Sequence, residues 1–240
     1  TYRLSLDQTI LDIDEEYFEL VKIISKKIAH KLDNDPDSCH EAPFTTYVNK
    51  WRDIPEIYKL ANLIMPQIER KVFRSKLKVE YVLPYRNKVT DTDLTASWLW
   101  HYDDTPPEYI KLAIYLNDTT EKNGCFQYIS VEKGIPVIPS SRISPGPAGR
   151  QYFLGSRVPK EYVDKLLSNG GKISSLVGPP GTYALFTPNI IHRATMPDAS
   201  SSPREALFFF IRPTLKQGDF IDESTNSILP TKDVKRYELD

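Results

Sequence analysis

Three side chains with metal-binding chemistry punctuate this sequence. "WHYD" sets His101 and Asp103 one residue apart, and "NIIHRA" supplies His192 far downstream. In an extended strand, residues i and i+2 project to the same face. The imidazole of His101 and the carboxylate of Asp103 can therefore point inward together, with Tyr102 and Asp104 turned the other way. Two histidines and one carboxylate on one side of Fe(II) leave its other positions open to a co-substrate and dioxygen. The competing reading is a pair of buried polar groups that satisfy each other, since His-x-Asp alone is short enough to arise by chance. A buried carboxylate and a buried imidazole each need compensation, and one metal ion provides it for both.

These residues need a frame, and the texture of the chain supplies one. Residues 14–32 place Phe18, Val21, Ile24, Ile28 and Leu32 at helical spacing behind Asp14 as N-cap. Residues 54–72 read as a second helix, kinked before Pro66. From residue 77 the runs "KLKVEYVLPY", "TASWLWHY", "IKLAIYLND" and "GCFQYISV" are short, β-branched and aromatic, hence strands. A Pro-, Gly- and Ser-dense stretch follows, then a short helix "KEYVDKLLSNGG", then the strand group "GTYALFTP", "IIHRAT" and "REALFFFIRP". Helices first and many short strands after predict a mostly β fold with flanking helices, a sandwich or barrel. The expected organisation is one domain over 1–240. It has a mainly helical part at 1–76, a β core at 77–213 with a lid-like insertion at 131–160, and a C-terminal tail at 214–240.

Composition narrows the function classes. A formal net charge of −1 gives no basic field for nucleic acid. No run approaches the ~18 apolar residues of a membrane span. The chain has two cysteines, Cys39 and Cys125, so a disulfide framework is absent and a cytoplasmic setting is the default. Composition leaves the oligomeric state open.

The set "WHYD…KLAIYLND…NGCFQYI…GTYALFTPNIIHRA…PREALFFFIRP" resembles the Fe(II)/2-oxoglutarate-dependent dioxygenases, in particular the phytanoyl-CoA dioxygenase-like branch. The resemblance covers roughly residues 77–213 and rests on four elements in order: His-x-Asp, an Asn-Gly turn, a distal histidine and an arginine beyond it. It implies a double-stranded β-helix, a jelly-roll or cupin-like barrel. It implies Fe(II), 2-oxoglutarate and O2 as cofactors, with His101, Asp103 and His192 as iron ligands. Arg204 then holds the distal carboxylate of 2-oxoglutarate, because a guanidinium fork pairs bidentately with a carboxylate. Arg193 and Arg212 compete for that role. Relatives carry a hydroxyl residue two positions after this arginine, where this chain has Ala206; Tyr115 or Thr195 is the expected substitute. Related halogenases have a small residue in place of the carboxylate, so Asp103 points to hydroxylation or a related oxidation.

The substrate is expected to be a small molecule. Trp100 is a candidate wall, and Arg142, Arg150 and Arg157, in a segment rich in basic residues, favour an anionic or carrier-linked substrate. Two other classes compete: a non-catalytic jelly-roll ligand-binding module, and a cupin-type metalloenzyme that does not use 2-oxoglutarate.

Overall fold

Asp14 accepts a hydrogen bond from the Tyr17 amide at 3.0 Å and so starts helix α1, Glu15–Asn34. Its buried stripe is Tyr17, Leu20, Val21, Ile24 and Ile28. The stripe is rotated from the expected one: Phe18 is 49 % exposed, because the Tyr17 hydroxyl donates to the carbonyl of Gly181 and turns that ring inward instead. Helix α2, Pro55–Ile68, opens on Pro55, whose missing N–H costs nothing in the first turn. It runs on through Pro66 into a π-helical turn at Glu69–Phe73 that ends at Arg74, a left-handed residue with φ 52°. The expected break at Pro66 is thus displaced to a widened turn just after it.

The structure, a computed structural model, describes residues 10–89, 96–103, 108–131, 134–139, 157–216 and 218–227. Between the helices lies a hairpin of β1 (Cys39–Ala42) and β2 (Thr45–Val48), which the reading of 1–76 as helical did not anticipate. The remaining strands are β3 (Leu77–Asn87), β4 (Ile110–Tyr115), β5 (Phe126–Ser130), β6 (Lys172–Leu176), β7 (Tyr183–Phe186), β8 (His192–Ala194) and β9 (Glu205–Pro213), with α3 (Lys160–Ser168) before β6. They form a six-stranded sheet, β1-β2-β3-β9-β4-β7, and a three-stranded sheet, β6-β5-β8. Every named pairing is antiparallel.

Alternation along the large sheet separates two cores. Ile110, Leu112, Ile114, Leu207, Phe209 and Ile211 face α1 and α2. Ala113, Tyr115, Ala206, Phe208 and Phe210 face the small sheet, where Phe126 and Leu176 meet them. With both faces of the large sheet covered, its central strands read as continuous apolar runs rather than alternating ones. In β3 the register with β9 shifts between Val79 and Tyr81. The extra residue of such a bulge changes which face the following side chains take, so that Leu83 and Tyr85 join the intersheet core. The expected jelly-roll architecture, the double-stranded β-helix, is what the chain adopts.

Two expectations need correction. "TASWLWHY" is not a strand: Ala96–Trp98 is a 3-10 turn, and only His101 pairs, through bridges to Arg157 and His192. Its aromatic residues are packing anchors, with Trp98 buried edge-on against Phe44. The segment after residue 213 also does more than trail: Ile221 enters the core, and Trp51 donates to Ser227 at 3.0 Å. Most of the expected insertion, 140–156, lies outside the described residues.

Candidate metal and carboxylate site

His101 and His192 are tied by their backbones, the amide of each donating to the carbonyl of the other at 2.9 and 2.8 Å. This pairing, rather than a regular strand, fixes the two rings 4.3 Å apart between centroids. Each ring Nδ1 lies 2.8 Å from a nearby carbonyl, Leu99 for His101 and Ile190 for His192. A proton on Nδ1 leaves the Nε2 lone pair of each ring for a ligand. Asp103 follows on an irregular stretch, its amide donating a hydrogen bond to the Pro188 carbonyl at 2.8 Å. One oxygen lies 4.0 Å from His101 Nε2 and the other 3.6 Å from His192 Nε2. The three ligand atoms are within 4.8 Å of one another.

The electrostatics suit a cation. Burial holds both imidazoles below their ordinary pKa, His101 at about 3 with His192 adding to the effect. Burial opposes ionisation of Asp103, but Lys111 and the imidazoles outweigh it and hold the carboxyl at about 2. At neutral pH the donor set is therefore two neutral imidazoles and one carboxylate, ready to ligate.

The cluster lines a cavity of about 190 Å³ between the sheets. Arg204, at the entry to β9, is 3 % exposed and lines the same cavity. Its Nη2 donates to the Tyr85 hydroxyl at 2.8 Å, while Nε and Nη1 are buried with no hydrogen-bond partner among the described residues. Asn87, also lining the cavity, has a buried Nδ2 that likewise lacks a hydrogen-bond partner among the described residues. Buried unpaired donors are rare in native proteins. Donors of this kind suit an anion, and a carboxylate fits a guanidinium fork. A larger cleft, about 650 Å³ beside Lys78, Arg212 and Asp222, lies at the other end of β3 and β9 and contains none of this cluster.

Arg212 is paired with Glu80 and lines that other cleft. Arg193 donates to Gln127 at 2.9 Å and stacks on Trp100 at 4.4 Å. Trp100 packs with Tyr102, Val158 and Ile191 in a third core cluster. The Tyr115 ring lies 5.8 Å from the Arg204 guanidinium, but its hydroxyl donates to Leu176 and accepts from Phe126. Thr195 donates to Glu121 and Cys125. Arg157 is exposed, and its charge acts on Asp103; Arg142 and Arg150 lie outside the described residues. Sequence reasoning missed Tyr85, Asn87 and Lys111. Only Lys111 left a signal: a lone charge in "IKLAIYL" on the parity that faces the small sheet.

No protein-family model matches the chain. Over 131 residues it is 25 % identical to the L-proline trans-4-hydroxylase of Streptomyces griseoviridis, a match covering 48 % of each chain; the match thus spans about half the length of this curated relative. Among solved structures it is similar to the non-heme alpha ketoglutarate dependent epimerase SnoN from nogalamycin biosynthesis, with TM-score 0.58 and 15 % identity over 85 % of this chain and 74 % of that one. EctD from S. alaskensis, solved with 2-oxoglutarate and 5-hydroxyectoine, gives TM-score 0.55 and 16 % identity over 90 % and 74 %. The carbocyclase SnoK gives 0.54 and 15 % over 84 % and 77 %. These likenesses give the fold: a jelly roll shared with those enzymes.

Proposed function

We propose that this chain is an Fe(II)/2-oxoglutarate-dependent dioxygenase that couples oxidative decarboxylation of 2-oxoglutarate to hydroxylation, or a related oxidation, of a small molecule. What carries the reading is one coincidence: three ligand atoms within 4.8 Å of each other share a cavity with a buried arginine whose Nε and Nη1 have no hydrogen-bond partner among the described residues. A structural cluster of polar groups needs no such arginine, and a plain binding module needs no such ligand triad.

In this reading His101, Asp103 and His192 hold the iron, and Arg204, with Tyr85 and Asn87 beside it, holds the distal carboxylate of 2-oxoglutarate. Bound iron supplies activation of dioxygen. The protein's share is placement and the exclusion of water. The carbonyls of Leu99 and Ile190 lock the ring orientations, and Phe126 and Phe186 pack 5.3 and 5.7 Å from the His192 ring, keeping that wall apolar. The L-proline hydroxylase relative favours a small substrate and hydroxylation, as does the presence of a carboxylate at 103. The free thiols of Cys39 and Cys125 suit a reducing compartment, and among the described residues no helix is long and apolar enough to cross a membrane.

The test is succinate release from 2-oxoglutarate with Fe(II) across a panel of small metabolites, beside His192→Ala and Asp103→Asn. Wild-type protein should release succinate and both variants should not. Release that is undiminished in either variant would remove the iron assignment.

A further inference from the structure

Lys111 stands out because it is a buried lysine on a strand whose other interior positions, Ala113 and Tyr115, belong to the intersheet core. On β4 it lies opposite Phe186 of β7 and Phe210 of β9. Its ammonium is 2.5 Å from Asp103 Oδ2 and 4.5 Å from the centre of the Phe210 ring. Burying an ammonium group is expensive unless it is paired. Without metal, Asp103 is the partner. A divalent cation bound to Asp103 draws on the same carboxylate and repels the ammonium beside it, so loading the site deprives Lys111 of its counter-ion.

The charge balance of the loaded cavity makes the same point. A divalent metal and the dianion of 2-oxoglutarate cancel, and Asp103 offsets one of the two lining cations, Lys111 and Arg204. The third lining cation, Arg193, is held by Gln127 and Trp100. Because those two partners are neutral, two positive charges are left uncompensated, and the one on Lys111 lies against the Asp103 carboxylate. We propose that Lys111 anchors an anionic group of the substrate, so that the molecule oxidised here is a small organic acid that presents its carboxylate to Lys111.

This proposal rests on the iron and 2-oxoglutarate reading, and its test separates the two. Under anaerobic conditions, Fe(II) and 2-oxoglutarate together give a visible charge-transfer band that reports assembly of the centre. Wild type, Lys111→Gln and Lys111→Arg, each checked for a cooperative melt, are titrated with small carboxylates and their amides, L-proline and L-prolinamide among them. Perturbation of the band and equilibrium dialysis are the readouts. In wild type at least one carboxylate should bind about tenfold or more tighter than its amide, the scale of a charge-assisted contact. Lys111→Gln should lose that preference, and Lys111→Arg should keep part of it. Iron affinity in Lys111→Gln should equal or exceed that of wild type, because a cation beside the metal has gone.

The proposal fails if no carboxylate in the panel outbinds its amide, or if the preference survives in Lys111→Gln. It also fails if Lys111→Gln weakens 2-oxoglutarate itself, which would assign the lysine to the co-substrate, or if it sheds iron, which would make it a support for Asp103. A wild-type protein that forms no band sinks the underlying dioxygenase reading instead.

Discussion

Arg204 is a charge buried at a cost. Its guanidinium is 3 % exposed, and although Nη2 donates to the Tyr85 hydroxyl, Nε and Nη1 have no hydrogen-bond partner among the described residues. A group kept in that condition opposes folding until its anion arrives. Replacing Arg204 with Met should therefore leave the melting temperature of the ligand-free protein unchanged or higher. Affinity for 2-oxoglutarate should fall at least about a hundredfold, as a buried counter-ion worth roughly 3 kcal/mol or more is lost. Differential scanning calorimetry and anaerobic titration check the two halves, and a clear drop in melting temperature would mean the arginine serves the fold. The histidines act on pH dependence in a definite direction. Their folded pKa values are depressed, His101 to about 3, so the unfolded chain takes up protons that the folded one refuses. Stability of the metal-free protein is then fully present above the unfolded value of about 6.5 and declines as pH falls toward 3. Asp103, held at about 2, adds a further loss below its ordinary value of about 3.9. Urea midpoints measured from pH 7.5 to 4 should fall, and His101→Gln should flatten the curve; a flat wild-type curve would contradict the burial of these rings.

At the scale of elements, the turn before β5 shows what holds Asn87, beside the proposed carboxylate berth, in place. Gly124 sits at φ +93°, where a side chain is strained. A Cβ there would come within 2.7 Å of Asn87 Nδ2 and 3.3 Å of the Thr195 carbonyl. Gly124→Ala should destabilise the protein by about 1–3 kcal/mol and weaken 2-oxoglutarate binding by displacing Asn87, whereas Gly134→Ala, whose Cβ meets nothing within 4 Å, should cost less and spare binding. Equal effects of the two on binding would detach Asn87 from the berth. The Asn-Gly pair was legible in the sequence because a positive φ calls for glycine. So were α1, with its cap and stripe, and the order of strands β3, β4, β5, β7, β8 and β9. What escaped was short or aperiodic. Strands β1 and β2 have four residues each, too few to show a period. The aromatic residues of "TASWLWHY" imitate β-propensity while packing a turn. That misreading left His101 and Asp103 together for a different reason from the one inferred: a two-way backbone bridge to His192 does what strand parity was expected to do. Tyr85 and Asn87 face the cavity beyond a register shift that local sequence does not reveal.

Over the whole molecule, the candidate site draws its residues from both layers. His192 belongs to the small sheet, Lys111, Tyr85, Asn87 and Arg204 to the large sheet or its ends, and His101 with Asp103 to the segment that bridges to β8. In the proposed reading, a metal at the cluster would tie the connecting segment to the small sheet, and a co-substrate held at Arg204 would tie both to the large one. Ligands that bind only the folded state stabilise it by mass action, about 2.7 kcal/mol at a hundred times the dissociation constant. For a chain of this length that amounts to a rise of roughly 5–10 °C in melting temperature. If one end of 2-oxoglutarate is held through the metal, as proposed, its share of the rise should appear only when the metal is present. Under argon, Fe(II) should raise the melting temperature of wild type, and 2-oxoglutarate should raise it further. Arg204→Met should keep the first rise and lose the second, and His192→Ala should lose both. A full 2-oxoglutarate rise in metal-free His192→Ala would place the co-substrate's berth away from the histidine pair, and the two halves of the cavity would then be separate sites.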